Sequence, residues 1–395
     1  MNAQERNDIS YEDVKSIKPI VKMLRLNDVQ HAGQADNPVA AHKKINLFII
    51  GTGNVGTAFI EQIFSQADYL TREYNIDFRI VALANTRHML IKRSGIKHDE
   101  WKEELKSEGV STDIDLFVQQ MFSLNLPGSI FIDNTASEEI SSIYRMILSG
   151  RISIVTCNKI AASSAYENYY ELKRIAVEKG VHFRFESNVG AGLPIIQTIS
   201  HLVRTGDEVR QIQAVLSGSL NFIFNSFCSG MKFSDAVLKA LEEGYTEPDP
   251  LIDLRGLDVS RKLLILAREA GVRLEASDIV VEDYLPSKLP ARYEADKFAA
   301  QMREYDGYFE EIRENIVKFN RRLRIIAQFR NGEAKIMLRE VDSAHPFFHL
   351  DGNDNVISIL TKRYPTRPMI IKGAGAGADV TASGIFSDIL SIVNS

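Results

Sequence analysis

Lys44-Ile45-Asn46-Leu47-Phe48-Ile49-Ile50 is a mostly apolar run that feeds straight into Gly51-Thr52-Gly53-Asn54-Val55-Gly56. Few stretches narrow the choice of fold as far. The run reads as a buried strand, and Val55, Phe59 and Ile63 at four-residue spacing read as the inward face of a helix opening at the glycines. A second strand is expected at Phe78 to Ala84. Strand, GxGxxG, helix and strand in that order make up the dinucleotide-binding βαβ unit. Gly51 permits the tight turn, Gly53 lets a pyrophosphate approach, and Gly56 lets helix pack on strand. The helix start at Asn54 and Val55 offers backbone N–H donors to the phosphates. The plainer alternative is a glycine-rich turn that binds nothing.

The second strand ends in Ala84-Asn85-Thr86-Arg87. An acidic residue there would grip a ribose 2′-OH and favour NAD, but none is present, and Arg87 could meet a 2′-phosphate instead. NADP is therefore the expected cofactor, with NAD the alternative; Arg87 as a solvated loop cation is the competing account. Further strands are expected at Ser129 to Asp133, Ile152 to Val155 and His182 to Phe185, with helices between. Ligands of open α/β sheets bind outside the carboxyl ends of the strands. Asn134 and Thr135 past one strand, and Lys159 past the next, are thereby placed to face a nicotinamide.

A second chemical cluster is Glu243-Gly244-Tyr245-Thr246-Glu247-Pro248-Asp249-Pro250, running on to Asp253, Asp258 and Lys262. The prolines forbid a helix through 248–250, so Glu247 and Asp249 sit on a defined turn. From Leu254 the pattern reads as a largely buried helix ending at Gly271, with Asp258 and Lys262 on one face. A lysine held beside carboxylates in a cleft can hold or deliver a proton. Taken alone, such a pair is a solvated ion pair worth a few tenths of a kcal/mol. The apolar flanks argue otherwise, because a charged pair on a mostly buried helix needs a reason to be there.

Glu186-Ser187-Asn188-Val189-Gly190-Ala191-Gly192-Leu193-Pro194 couples a carboxylate to a glycine-rich turn whose carbonyls could wrap a hard cation; a tight strand-to-helix connection is the alternative. From about 195 to 345 strand-like segments, such as Glu208–Leu216 and Glu333–Glu340, mix with charged helices, as in an α+β domain. Gly373 to Thr381 is a second glycine-rich segment feeding a helix, where the chain is expected to return to the first domain. Residues 1–44 are polar and mixed and read as a flexible arm or linker.

A net charge of −5 and a pI near 6.0 argue against a nucleic acid or an anionic membrane as the main partner. Two cysteines, Cys157 and Cys228, make no disulfide framework and fit a reducing compartment. With no signal-peptide pattern and no long apolar run, a cytoplasmic location is expected. The eight histidines show no zinc-site spacing and read as structural.

The phrases NVGAGLP, LSGSLNFIF, GYTEPDP, RGLDVSRKLLILARE and GAGADVTASGIFSDIL, taken with the dinucleotide motif, resemble homoserine dehydrogenase from about Ile45 onward. The dehydrogenase half of the bifunctional aspartokinase–homoserine dehydrogenases is the most similar. The resemblance implies an α/β chain, with a Rossmann-type dinucleotide-binding domain at 45–187 and 370–395 and an α+β substrate and dimerisation domain at 188–369. It also implies reduction of L-aspartate 4-semialdehyde to L-homoserine, on the route to threonine and methionine. Lys262 would protonate the carbonyl oxygen as hydride arrives, oriented by Asp258. Glu247 would hold the substrate amino group in a pocket shared with Asp253, Gly244, Tyr245 and Thr246. Lys159 would stand where nicotinamide meets substrate. Gly51, Gly53, Asn54, Val55, Gly56, Asn85, Arg87, Asn134, Thr135, Gly375 and Thr381 would line the cofactor. A sodium ion is implied on the Glu186 carboxylate and the carbonyls of Val189, Ala191 and Leu193. A homodimer or higher homo-oligomer is also implied.

Two positions depart from the family pattern. Ile160 stands where a second lysine is usual, which bears on the cofactor phosphate, and Cys157 stands where proline is common. The leading 44 residues are too few for a kinase half, and no regulatory ACT domain is recognisable, so weak or no inhibition by threonine is expected. Two other readings compete. One is a semialdehyde dehydrogenase with Cys157 as nucleophile, for which no activating histidine is evident. The other is a catalytically dead NADP-binding sensor, which would have been free to lose Lys159, Glu247, Asp258 and Lys262.

Overall fold

The computed structural model describes residues 42–286, 289–290, 292–352 and 354–395. The arm expected over 1–44 lies outside the described residues as far as 41, and Lys43 and Lys44 already belong to the first strand. That strand, β1 (Lys43–Ile50), is followed by β2 (Ile76–Ala84), β3 (His88–Ile91), β4 (Val110–Ser111), β5 (Ser129–Asp133), β6 (Ser153–Thr156) and β7 (Phe183–Arg184). They form one sheet in the order β4-β3-β2-β1-β5-β6-β7. β1 runs parallel to both β2 and β5, and β5, β6 and β7 continue in parallel. The chain therefore reverses its winding beside β1, which opens a crevice past the carboxyl ends of β1 and β5.

After β2 the chain doubles back into the antiparallel β3 and β4, which the sequence reading did not anticipate. Asn85 is the cause. Its Oδ1 accepts from the backbone N–H of Arg87 (2.7 Å) and of His88 (2.8 Å), closing a tight side-chain turn that sets up the Ala84–Met89 pairing.

β1 is buried on both faces, as its apolar run requires. On one face lie the helices Asn54–Tyr74 and Ala378–Val393, where Phe386 makes edge-to-face contacts with Phe59 of the first helix and with Phe78 of β2. The other face is covered by Ile114–Leu124, Tyr144–Ser149 and Tyr166–Lys179.

The second sheet holds β8 (Val209–Val215), β9 (Ile279–Val281), β10 (Arg322–Arg330), β11 (Glu333–Val341), β12 (Asp354–Thr361) and β13 (Met369–Ala374), in the order β13-β12-β8-β10-β11-β9. It is antiparallel except where β9 joins β11. The helices Gly218–Cys228 and Leu257–Glu269 pack on one face, and Phe347, Phe348 and Leu350 cover the other. β13 belongs to this sheet, so the chain crosses back after Ala374 and not at 370 as expected. The helix expected from Leu254 begins at Leu257, and a separate short helix precedes it. Pro250 opens a short helix, Pro250–Leu254, which its fixed φ suits. Gly256, at φ +66°, ends that turn before Leu257–Glu269 begins. Among the described residues no helix is long and apolar enough to cross a membrane.

Candidate active site

The glycine loop sits at the crevice. Gly51 has φ +96°, and a Cβ on Gly56 would stand 1.9 Å from the Gly51 carbonyl oxygen, so the turn and the first helical residues close only without side chains. Gly53 differs: a Cβ there would meet nothing within 4 Å among the described residues. The backbone is bare at that point and approachable from outside. The turn also brings Asn134 against Gly51 and Gly56. The Asn134 Oδ1 and Nδ2 are both buried without a hydrogen-bond partner among the described residues. Unsatisfied buried amides are costly. An approachable glycine, a bare helix start and an unfilled amide on one wall fit a dinucleotide. Arg87 is exposed on the Asn85 turn at the same end of the sheet.

Past β5 and β6 the chain is held by a buried polar network. Asp133 Oδ2 accepts from the Tyr144 hydroxyl (2.6 Å) and from Asn158 Nδ2 (3.0 Å), and Asp133 Oδ1 accepts from the Thr135 N–H (2.7 Å). Burial raises the Asp133 carboxyl above its usual range, against the pull of these donors. Asn158 also donates to the Ser137 carbonyl (2.8 Å), and its Oδ1 accepts from the Ile160 N–H (3.1 Å). These bonds fix Lys159 at the start of the helix Ile160–Ser163.

From the other side comes Leu257–Glu269. Lys262 is buried and lies 2.8 Å from Asp258 Oδ2, while Lys159 Nζ lies 3.5 Å from Asp258 Oδ1. Lys262 also donates to the Leu216 carbonyl (2.7 Å). Burial draws the Lys262 ammonium below the ordinary lysine range, with Asp258 opposing it. Although burial would raise Asp258, the two ammonium groups hold its carboxyl far below the usual range. The spacing-based expectation of a shared face is thus met, and Lys159 is brought in from a distant part of the chain.

The Gly244–Asp249 turn stands beside this group. Asp253 accepts from the Ser219 hydroxyl (2.6 Å) and from the Glu247 N–H (2.9 Å), so it braces the turn. Glu247 itself is exposed, Gly244 takes φ +71°, Thr246 Oγ1 donates to the Glu247 carbonyl, and Tyr245 stacks on Phe222 at 4.3 Å. Ser217, Ser219 and the Leu216 carbonyl were not singled out as individual site residues from the sequence. Their signal was the small-residue stretch before the Gly218–Cys228 helix, which Ser217 caps by accepting from the Leu220 N–H.

The Glu186 carboxylate, expected as a cation ligand, has structural partners of its own in the chain. It accepts from the N–H groups of Ile195 (2.5 Å), Ile196 (2.7 Å) and Gln197 (2.7 Å), closing the start of the helix Ile196–Arg204. The Leu193 carbonyl is likewise taken by the Ile195 N–H. Among the described residues no group of three or more His, Cys, Asp or Glu could hold a metal. The 187–192 turn packs instead on the final helix. Ser187 donates to the Thr381 carbonyl, and a Cβ on Gly384 would stand 2.7 Å from the Ala191 carbonyl oxygen. Thr381 thus serves this joint, and Gly375 packs against Asn355.

The profile of the homoserine dehydrogenase family matches residues 194–390, and that of the homoserine dehydrogenase NAD-binding domain matches residues 51–186. The chain belongs to the homoserine dehydrogenase family. It is 37% identical over 365 residues to the homoserine dehydrogenase of Schizosaccharomyces pombe, covering 90% of this chain and 97% of that one. It is 37% identical to a chloroplastic bifunctional aspartokinase/homoserine dehydrogenase of Arabidopsis thaliana, across 88% of this chain but 38% of that protein. It therefore spans about two-fifths of the length of such bifunctional relatives. A Candida auris protein of unknown function superposes with a TM-score of 0.81 at 34% identity, covering 89% of this chain and 99% of that one. A hyperthermophilic archaeal homoserine dehydrogenase in complex with NADPH shares the fold, with a TM-score of 0.69 at 23% identity and coverage of 89% and 98%.

Within this family Cys157 is unsuited to the nucleophile role weighed above. Burial, reinforced by Asp133, pushes its thiol up to about 11, so at neutral pH it carries no useful thiolate.

Proposed function

We propose that this chain interconverts L-aspartate 4-semialdehyde and L-homoserine with NADP(H). One observation carries the reading: a buried ammonium, Lys262, meets a carboxylate and a second ammonium, Lys159, at the carboxyl end of a dinucleotide-binding sheet. NADPH, when bound, supplies the hydride. Its pyrophosphate would lie on Gly51 to Gly56, its 2′-phosphate near Arg87, and its nicotinamide end toward Asn134, Thr135 and Lys159.

An aldehyde gaining hydride needs a proton at its oxygen. Burial moves Lys262 toward the range where it gives up a proton, while Asp258 keeps it charged until it does. The neutral amine left behind retains the Leu216 carbonyl and Asp258 as partners. Lys159 adds positive potential at the developing alkoxide. Glu247, exposed on a turn braced by Asp253, is suited to the substrate ammonium. Homoserine oxidation follows the same path in reverse, with the Lys262 amine taking the proton.

The proposed division into nucleotide and substrate domains follows the two sheets. We assign the whole a homo-oligomeric state and, on its two free cysteines, a reducing compartment. Homoserine with NADP or NAD, followed at 340 nm, tests the activity. Homoserine-dependent reduction, faster with NADP, is the expected result; cofactor binding without turnover would refute it.

A further inference from the structure

The helix that carries Asp258 and Lys262 ends in a second pair of charges, Arg268 and Glu269, which the chemistry above does not use. The Arg268 side chain is fully buried. Its Nη1 donates to the Ala162 carbonyl (3.0 Å) and to the Ser164 carbonyl (2.7 Å), and its Nε to the Leu274 carbonyl (3.1 Å). Its Nη2 meets Glu275 Oε2 at 3.2 Å, and the same carboxylate accepts from the Tyr166 N–H. The guanidinium lies 5.3 Å from the Tyr169 ring centroid and 5.6 Å from that of Tyr166. Glu269 accepts from the Tyr169 hydroxyl (2.5 Å) and from Lys173 (2.8 Å).

Ala162 and Ser164 are not arbitrary partners. They close the short helix Ile160–Ser163, whose other end is Lys159. The Lys159 carbonyl accepts from the Ser163 N–H (2.9 Å) and the Ser163 hydroxyl (2.8 Å), so the segment moves as one piece. Asn158 and Asp133 fix its near end from within the nucleotide half. Arg268 grips its far end from the helix that bears Lys262. Burying a guanidinium in full costs stability unless its donors are satisfied; here Nη1 is spent on the segment that sets where Lys159 stands, while Nε and Nη2 anchor the guanidinium to Leu274 and Glu275.

We infer that Arg268 is a positioning residue: through the 160–164 segment it sets Lys159 against the Asp258–Lys262 pair across the two halves of the molecule. The assignment rests on the dehydrogenase reading above. A displacement of about 1 Å at a reacting group can cost ~10²-fold in rate. Loosening this grip therefore lowers turnover through Lys159 and leaves Lys262 chemistry in place.

A double-mutant cycle reads this directly. kcat and KM for homoserine and NADP, with Tm, are measured for wild type, Arg268→Gln, Lys159→Ala and the double variant. Arg268→Gln is expected to lose about 10- to 100-fold in kcat with KM for NADP little changed. In the Lys159→Ala background, whose residual turnover runs through Lys262, the same substitution costs less than about threefold. Arg268→Lys restores part of the loss, since an ammonium reaches one carbonyl but not the fork. Equal fold-losses in both backgrounds, or wild-type kcat in a folded Arg268→Gln, would overturn the role. Should Arg268→Gln fail to fold, Glu275→Gln replaces it in the same cycle, with the same non-additivity expected at smaller size. A wild type without turnover refutes the dehydrogenase reading itself, a separate result from additivity in an active enzyme.

Discussion

Lys262→Met separates chemistry from folding at the centre of the site. Loss of a positioned proton donor costs roughly 10²–10⁴-fold in rate, about 3 to 5 kcal/mol of barrier at 1.36 kcal/mol per tenfold. The stability cost should be smaller. The Leu216 carbonyl loses a charged donor, a penalty of about 1–3 kcal/mol for a buried group left unpaired. Against this, methionine fills similar space and removes the cost of burying a charge. Asp258 keeps Lys159 as a partner at 3.5 Å and has 42% of its side chain exposed, so it is not stranded. The variant should therefore melt within a few degrees of wild type and bind NADPH with unchanged affinity, read by cofactor fluorescence. Its homoserine oxidation at 340 nm, with both substrates saturating, should fall at least ~100-fold. A folded Lys262→Met with kcat within about tenfold of wild type would refute the reasoning and move the proton to Lys159.

Asp258→Asn removes the strongest influence holding the Lys262 proton, so the rising limb of homoserine oxidation against pH should move to lower pH; a limb that stays or moves alkaline contradicts the pairing. Gly53→Ala should leave Tm unchanged, because nothing among the described residues lies within 4 Å of its Cβ, yet weaken NADP binding at least tenfold (about 1.4 kcal/mol), whereas Gly56→Ala should lower Tm through its clash with Gly51. Isothermal titration and thermal melts would distinguish the two. Glu186 is raised to about 7, first by burial and then by Asp388, and Asp388 to about 6 by burial. Because the folded chain keeps protons that the unfolded chain has released, stability should fall as pH rises through 5 to 7.5, by on the order of 3 kcal/mol. Asp388→Asn should flatten that slope in melts across this range, and an unchanged slope would dismiss the pair as its source.

The nucleotide half was legible because its signals are local. β1 and the glycines lie in one continuous run, and the apolar residues of β5 and β6 mark strands buried on both faces. Asp258 and Lys262 were legible for the same reason, being four residues apart. What the sequence concealed was long-range or polar. The turn after β2 depends on one side-chain oxygen, that of Asn85. β10 and β12 were not singled out, and each takes its place in the sheet by pairing with β8, far earlier in the chain. Glu186 read as a ligand because a carboxylate beside glycines suits a cation, and its bonds to three amides at the start of the next helix were not visible from sequence. Arg268 was not singled out, since nothing near it in sequence reveals the Ala162 and Ser164 carbonyls.

The first sheet is written early in the chain but finished by its last helix. Phe386 rests on Phe59 and Phe78, Gln62 donates to the Asp379 carbonyl, and Gly384 beds against the 187–192 turn. During synthesis, then, the part of one sheet face beside the Asn54–Tyr74 helix stays uncovered until the whole second sheet has emerged. Domain-by-domain folding from the ribosome is closed to such a layout. The second half must assemble as a loop inserted in the first, and a nascent chain stopped before residue 378 should be a client for chaperones, not a cofactor-binding fragment.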